Sequence, residues 1–241
     1  MDAHYYRVLE WYRQNGDQTY RLDYQLNESS IVVDAGGYQG DFAADIFEKY
    51  GCNIYVFEPI TDNCNFIKNR FAGNKNIHVL PYALGDQSRQ IRLEVSGDAT
   101  SSYKAGDNVA TAEEVDTSKI LNEIGIRDID LFKLNVEGAE YAIIDNLIAT
   151  GWIKHIRNLQ IQFHNFVEDA DRMMLRARQK LSLSHHQTYA FRYVWENWIK
   201  TDENSFRNSF VQIMPYLDEM GEKIALLEKE INDLKNSKSE S

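Results

Sequence analysis

The chain has 241 residues, 43% of them apolar and 26% charged, a balance that can bury a sizeable core and is ordinary for a globular protein in water. Its 37 acidic residues outnumber 26 basic ones for a formal charge of −11, and no Lys/Arg cluster offsets this locally, so neither nucleic acid nor an anionic membrane surface is an expected partner. No apolar run approaches the ~20 residues that cross a bilayer, the stretch "MDAHYYRVLEWYRQ" lacks a signal-peptide pattern, and the two cysteines, Cys52 and Cys64, form no C-x-x-C pair, so a reduced, cytoplasmic protein without a structural zinc is expected.

In chain order, residues 1–29 read as a lead-in. Tyr6, Leu9 and Tyr12 recur at helical spacing, and "TYRLDYQL" then alternates Tyr20, Leu22, Tyr24 and Leu26 as a half-buried strand does. Residues 30–214 form the main domain. "IVVDAGG", "NIYVFEP", "IHVLPYAL", "IDLFKLNV" and "NLQIQFH" are five short apolar runs separated by helical segments, and "RQIRLEVSG" reads as an added strand. Short apolar strands that alternate with helices imply a mostly parallel sheet covered on both faces, an α/β fold. "YAFRYVWENWI" and "SFVQIM" are the last strand candidates. Over residues 215–236, Leu217, Met220, Ile224, Leu227, Ile231 and Leu234 make an a/d seam, and Lys223 with Glu228 and Glu230 with Lys235 stand at pairing g and e positions. That pattern predicts a parallel two-stranded coiled coil and a homodimer, with residues 237–241 as a disordered tail.

The most informative stretch is "IVVDAGGYQGDFAADIFEKYGCNIYVFEP", a strand, a glycine loop, a helix and a second strand. Glycines at a strand-to-helix turn let a ligand approach bare backbone. Gly36, Gly37 and Gly40 do not fit the dinucleotide spacing G-x-G-x-x-G. Asp34 at the turn repels phosphate but accepts hydrogen bonds from an ammonium, and Glu58 ends the second strand where a carboxylate can take both hydroxyls of a ribose. An amino-acid arm and a ribose without phosphate describe S-adenosylmethionine better than NAD.

Together, "VVDAGGYQG", "YVFEP", "LPYALGD", "DLFKLNVEGAE" and "NLQIQFH" resemble the FkbM family of S-adenosylmethionine-dependent methyltransferases, over roughly Tyr20 to Phe166. The resemblance implies a Rossmann-like class I fold with a seven-stranded, largely parallel sheet. It implies Gly36, Gly37 and Gly40 as loop glycines, Asp34 beside the amino-acid end of the cofactor, Glu58 on the ribose, and Ala83, Leu84 and Asp86 along the adenine. The "GDATSSY" loop fits the family's insertion and brings Ser101 or Ser102 near the ligand. The family reads K-x-D-V-E-G at its fourth strand, whereas this chain has Asn135 at the acidic position, which borders cofactor and acceptor. Asn keeps the hydrogen-bonding shape and loses the charge, which disfavours a metal there.

Methyl transfer to a hydroxyl needs alignment and a proton sink. Glu137 and His164 stand at strand ends and are the expected catalytic residues; Lys133 is expected to be structural. The expected acceptor, from the resemblance, is a hydroxyl of a sugar or of a glycosylated or polyketide-type metabolite. Asn135 and the heptad seam leave open a catalytically silent, dimeric scaffold, and an NAD-dependent oxidoreductase is the remaining, disfavoured alternative.

Overall fold

A computed structural model describes residues 3–96, 99–101 and 109–201. The heptad segment, the tail, the "SFVQIM" run and Ser102 lie outside the described residues.

Seven strands make the main sheet: β1 (Ile31–Ala35), β2 (Asn53–Phe57), β3 (Ile77–Leu80), β8 (Ile129–Leu134), β9 (Ile156–Ile161), β10 (His185–Phe191) and β11 (Trp195–Lys200), in the order β10-β11-β9-β8-β1-β2-β3. All run parallel except β11, which is antiparallel to both neighbours. The chain therefore has the expected α/β, Rossmann-like methyltransferase sheet. Register decides where a ligand can lie. Leu80, Phe57, Ala35, Leu134, Ile161, Glu196 and Ala190 form one row across the sheet. Every loop that leaves a parallel strand just beyond this row rises from one rim, which is the ligand-binding edge of open α/β sheets.

The runs pair in parallel because they are apolar on both sides and are buried on both sides. α2 (Asp41–Tyr50) and α3 (Thr61–Arg70) cover one face through Phe42, Ile46 and Ile67 against Val32, Ile54 and Val56. α4 (Thr117–Glu123), α5 (Glu140–Ala149) and α6 (Ala170–Leu181) cover the other through Leu121, Ile144, Leu147 and Met174 against Val33, Phe132 and Leu159. α1 (Ala3–Arg13) packs Trp11 on the β10-β11 hairpin, beside Val194 and Trp195.

The structure corrects three expectations. Residues 19–26 are turns and irregular backbone, not a strand. Leu22, Tyr24 and Leu26 do pack on the core, but the Tyr50 hydroxyl takes the N–H of Tyr24 at 2.9 Å and donates to the carbonyl of Leu22 at 2.7 Å. A side chain satisfies backbone groups that a ladder would otherwise claim. "IHVLPYAL" is two strands, because Pro81, which has no N–H, separates β3 from β4 (Ala83–Gly85). β4 belongs to a second sheet of order β4-β7-β5-β6, built from the added strand β5 (Arg89–Ser96), β6 (Ala99–Ser101) and β7 (Val109–Asp116). "YAFRYVWENWI" is likewise two strands: β10 begins earlier, at His185, and turns into β11 through Arg192, Tyr193 and Val194. His185 is buried and His186 exposed, facing opposite sides as neighbours on a strand must.

Candidate functional site

Along the rim, β1, β2, β8 and the second sheet enclose a cleft of about 790 Å³, counted out to open solvent. Gly36, Glu58, Asn135 and Glu137 line it from the strand ends; Tyr82, Ala83 and Leu84 from the β3–β4 link; Ile91, Leu93 and Glu114 from the second sheet.

The glycine loop is held by its own backbone. Gly36 and Gly37 both donate to the carbonyl of Phe57, at 3.0 and 3.2 Å. Gly36 has φ +83°, and a Cβ there would lie 1.9 Å from the Asn135 carbonyl oxygen, so β1 and β8 meet at this point only because the side chain is missing. Gly37 and Gly40 are glycines for packing reasons: a Cβ would strike Val56 at 2.2 Å in the first case and Phe71 at 2.9 Å in the second. Neither lines the cleft.

Glu58 is buried, and its two oxygens accept N–H groups of Tyr38 (2.8 Å) and Ile60 (2.9 Å). Burial pushes its carboxyl above the usual range, with those two N–H groups pulling back. The Asn63 side chain also hydrogen-bonds this carboxylate, which leaves lone-pair capacity for one further donor. Asp34 lies elsewhere than the sequence implies. It is on β1 rather than in the loop, is fully buried, and does not line the cleft. Its Oδ1 accepts from Lys133 Nζ at 2.8 Å, while Oδ2 is buried without a partner. Lys133, buried to the same degree, also donates to the carbonyls of Gly36 (2.7 Å) and Ala35 (3.3 Å). The ammonium that Asp34 receives is thus the chain's own. Burial pushes the Lys133 pKa down, and Asp34 opposes that shift.

After β8 the backbone is left-handed at Glu137 (φ 52°) and Gly138 (φ 108°). Glu140 at the start of α5 holds this bend. Its Oε1 accepts from the N–H of Val136 and its Oε2 from that of Gly138, both at 3.0 Å. The same Oε1 meets His164 Nδ1 at 2.8 Å, and His164 Nε2 lies 3.5 Å from Glu137 Oε1. Burial alone lowers the His164 pKa, but Glu137 and Glu140 outweigh it and carry it up to about 9. At neutral pH His164 is an imidazolium between two carboxylates. Glu137 lines the cleft, and His164 stands behind it.

Asn135 continues β8 into the cleft. Its N–H bonds the Ala35 carbonyl at 3.1 Å, and its Oδ1 is buried with no partner. Glu114, on β7, is a cleft residue that sequence reasoning missed. It is buried, with Oε1 2.9 Å from Arg89 Nε, and burial pushes its carboxyl up against the pull of Arg89. Gly85 makes room for it, since a Cβ there would lie 2.4 Å from the Glu114 carboxyl carbon. "VATAEEVD" carries no clean polar-apolar alternation that would mark Glu114 as buried.

The Methyltransferase FkbM domain family matches residues 34–224. The chain belongs to this family. Its members are S-adenosylmethionine-dependent methyltransferases, and S-adenosylmethionine is therefore the cofactor of this chain. No curated protein sequence matches it. Among solved structures, a protein named as a candidate rRNA methylase of Clostridium thermocellum aligns with TM-score 0.51 at 8% identity, over 79% of this chain and 96% of that one. A candidate methyltransferase of Streptococcus mutans, solved with S-adenosylhomocysteine, gives 0.46 at 11% identity over 78% and 96%. An rRNA methylase of Streptococcus thermophilus gives 0.45 at 11% over 73% and 90%.

Of the residues singled out in this FkbM-family chain, Gly36, Glu58, Ala83, Leu84, Asn135 and Glu137 line one cleft. Asp34, Gly37, Gly40, Asp86 and His164 do not. Asp86 is exposed, and its carbonyl accepts from Asn146 at 3.3 Å. Ser101 lies on β6.

Two outcomes are expected. Lys133→Met should destabilise the protein by about 3–5 kcal/mol in urea unfolding, because it strands a buried carboxylate, and adding Asp34→Val should recover most of the loss. The folded pKa of His164 lies above its ordinary 6.5, so its stabilisation is complete below pH 6.5 and disappears as the pH rises through about 9. Unfolding free energies of the wild type and His164→Gln should differ by roughly 3 kcal/mol at pH 6 and converge near pH 10; a difference independent of pH would refute the imidazolium.

Proposed function

We propose that the protein transfers a methyl group from S-adenosylmethionine to a hydroxyl of a sugar, or of a glycosylated or polyketide-type metabolite. The observation that carries the reading is Asn135 Oδ1, an acceptor buried at the cleft wall without a partner. Such an atom is costly unless a ligand donor meets it, and the ammonium of an amino-acid arm is a donor of the right kind. Asn135 then takes the part expected of Asp34.

The residues fit the cofactor. Gly36 offers bare backbone beside Asn135, Glu58 keeps lone-pair capacity for a ribose hydroxyl, and Ala83, Leu84, Ile91 and Leu93 give apolar walls for a base. Glu114 is a carboxylate among those walls and would accept a hydrogen bond from the base's exocyclic amine. When bound, the cofactor supplies a methyl group activated on a sulfonium, so the protein's share is alignment and proton handling.

Glu137 lines the same cleft and receives the proton that the acceptor hydroxyl gives up. His164, as an imidazolium, has no lone pair for that proton. It acts as a positioning residue that fixes Glu137 through Nε2 and Glu140 through Nδ1. The hydroxyl acceptor follows from the family resemblance and from the need for a proton sink, and a net charge of −11 argues against an RNA acceptor. We also infer that the heptad over 215–236 pairs two copies.

Thermal unfolding with S-adenosylhomocysteine, NAD as control, tests the cofactor site. At 100 times Kd the ligand should add about 2.7 kcal/mol, and NAD nothing. Glu58→Gln should weaken binding about 10- to 100-fold by loss of a charged hydrogen bond. The second reading, a silent methyltransferase-like scaffold, is favoured by Asn135 alone. It predicts no methyl transfer from radiolabelled S-adenosylmethionine to sugar hydroxyls by the wild type and transfer by Asn135→Asp; transfer by the wild type refutes it.

A further inference from the structure

A second basin opens on the same rim, next to the methyl-transfer cleft. The loop after β9 and the turn between β10 and β11 both rise from the row that contains Ile161, Glu196 and Ala190. With α1 they enclose about 1060 Å³, counted out to open solvent. Asn165 lines this basin, and the residue before it is His164, whose Nε2 reaches the Glu137 carboxylate that lines the cleft. The sequence neighbours His164 and Asn165 thus link the two spaces, His164 through Glu137 and Asn165 directly.

The chemistry of the basin contrasts with the acidic chain around it. Arg7, Arg172 and Arg192 converge there from α1, α6 and the β10-β11 turn. The facing carboxylates are Asp169 and Asp171. Asp171 is engaged by Arg192 and by the hydroxyl of Tyr193, and Asp169 reaches Arg172 only at 3.6 Å. Three guanidiniums against two carboxylates leave the basin positive. Arg7 Nη1 spans to the Arg192 carbonyl at 3.5 Å, so it sits over the turn. Arg192 Nε is buried without a partner, a donor that a bound oxyanion would satisfy. Asp169 (φ 57°) and Tyr193 (φ 61°) both hold left-handed backbone, strain that gathers where side chains are aimed at ligands.

We propose that this basin binds an oxyanion of the methyl acceptor, the phosphate of a sugar phosphate or the carboxylate of a sugar acid, and so holds a neighbouring hydroxyl toward Glu137. The guanidinium fork suits planar or tetrahedral oxyanions through paired N–H groups. The assignment rests on the methyltransferase reading for its role, but the anion site can be measured by itself.

Isothermal titration at low ionic strength with glucose 1-phosphate, glucuronate and glucose provides the test, on the full chain with and without S-adenosylhomocysteine. At least one of the two anions should bind saturably, glucose should not, and the stronger anion identifies the source of the charge. In Arg7→Gln/Arg172→Gln, anion binding should weaken about tenfold or more, while affinity for S-adenosylhomocysteine stays unchanged. Arg172 is exposed and its ion pair is long, so its loss leaves the fold standing. If the guanidiniums only clamp α1 to the hairpin, neither anion binds at tens of millimolar, or the variant binds as well as the wild type; either result overturns the proposal. S-adenosylhomocysteine binding without anion binding would remove this inference alone. The reverse pattern would leave the anion site standing and remove the methyltransferase reading.

Discussion

The contact between Lys133 and Asp34 at the centre of the sheet organises the binding rim. β1 and β8 are neighbours, and Asp34 and Lys133 are both buried between them, so a charge on either is costly unless the other strand answers it. Lys133 answers Asp34 and also takes the carbonyls of Ala35 and Gly36. The last residues of β1 and the first glycine of the loop are thereby tied to β8 just below the point where Gly36 passes over the Asn135 carbonyl. The loop's aim is set from beneath by an ion pair and from above by a missing side chain. A second carboxylate, Glu140, repeats the arrangement one strand over, holding the turn after β8 through two N–H groups and a histidine. These buried charges hold loops in place, unlike the exposed surface pairs such as Arg13 with Glu10 and Lys180 with Asp145.

Much of this was legible in the sequence, for physical reasons. The apolar runs "IVVDAGG", "NIYVFEP", "IDLFKLNV" and "NLQIQFH" read as parallel strands because their apolarity leaves no solvent-facing side, and the same reading took "IHVLPYAL" as one run where Pro81 divides it. Glu58 and Asn135 could be placed at the cleft because strand ends are where the chain must change direction. Asp34 could not be placed from sequence. Its neighbour in space is 99 positions away, and a carboxylate at a glycine loop reads the same whether it faces a ligand or a lysine. The strand expected at Tyr20–Leu26 failed for a related reason: alternation reports which side chains are buried, not which group takes the backbone hydrogen bonds, and here Tyr50 takes them. Glu114 was missed because the second sheet is assembled from strands that read as surface. Its burial follows only when Gly85 and Arg89 come to lie beside it.

His164 shows how geometry revises a residue's chemistry without moving it. At a strand end, a histidine near neutral pKa reads as a base. Between Glu137 and Glu140 it is a cation, so its value lies in fixing the carboxylate that faces the cleft. The pH range over which the pair holds together is the range over which Glu137 is oriented.

The cleft itself carries three carboxylates, Glu58, Glu114 and Glu137, of which Arg89 pairs only Glu114 directly, and its two side-chain amides, Asn63 and Asn135, add hydrogen-bonding groups without adding charge. An acidic wall favours a cationic ligand over a neutral one of the same shape, and the preference is larger where water is sparse. A sulfonium donor is cationic at the reacting centre and its thioether product is not, so the same wall that gathers the donor holds the product less tightly. With a fourth carboxylate at position 135 the bias would be stronger, and so would the mutual repulsion among acids in a buried space. Asn135 keeps the hydrogen bond and moderates both. The arginine-lined basin on the same rim differs from the cleft in charge: three carboxylates line the cleft, and three guanidiniums against two carboxylates line the basin.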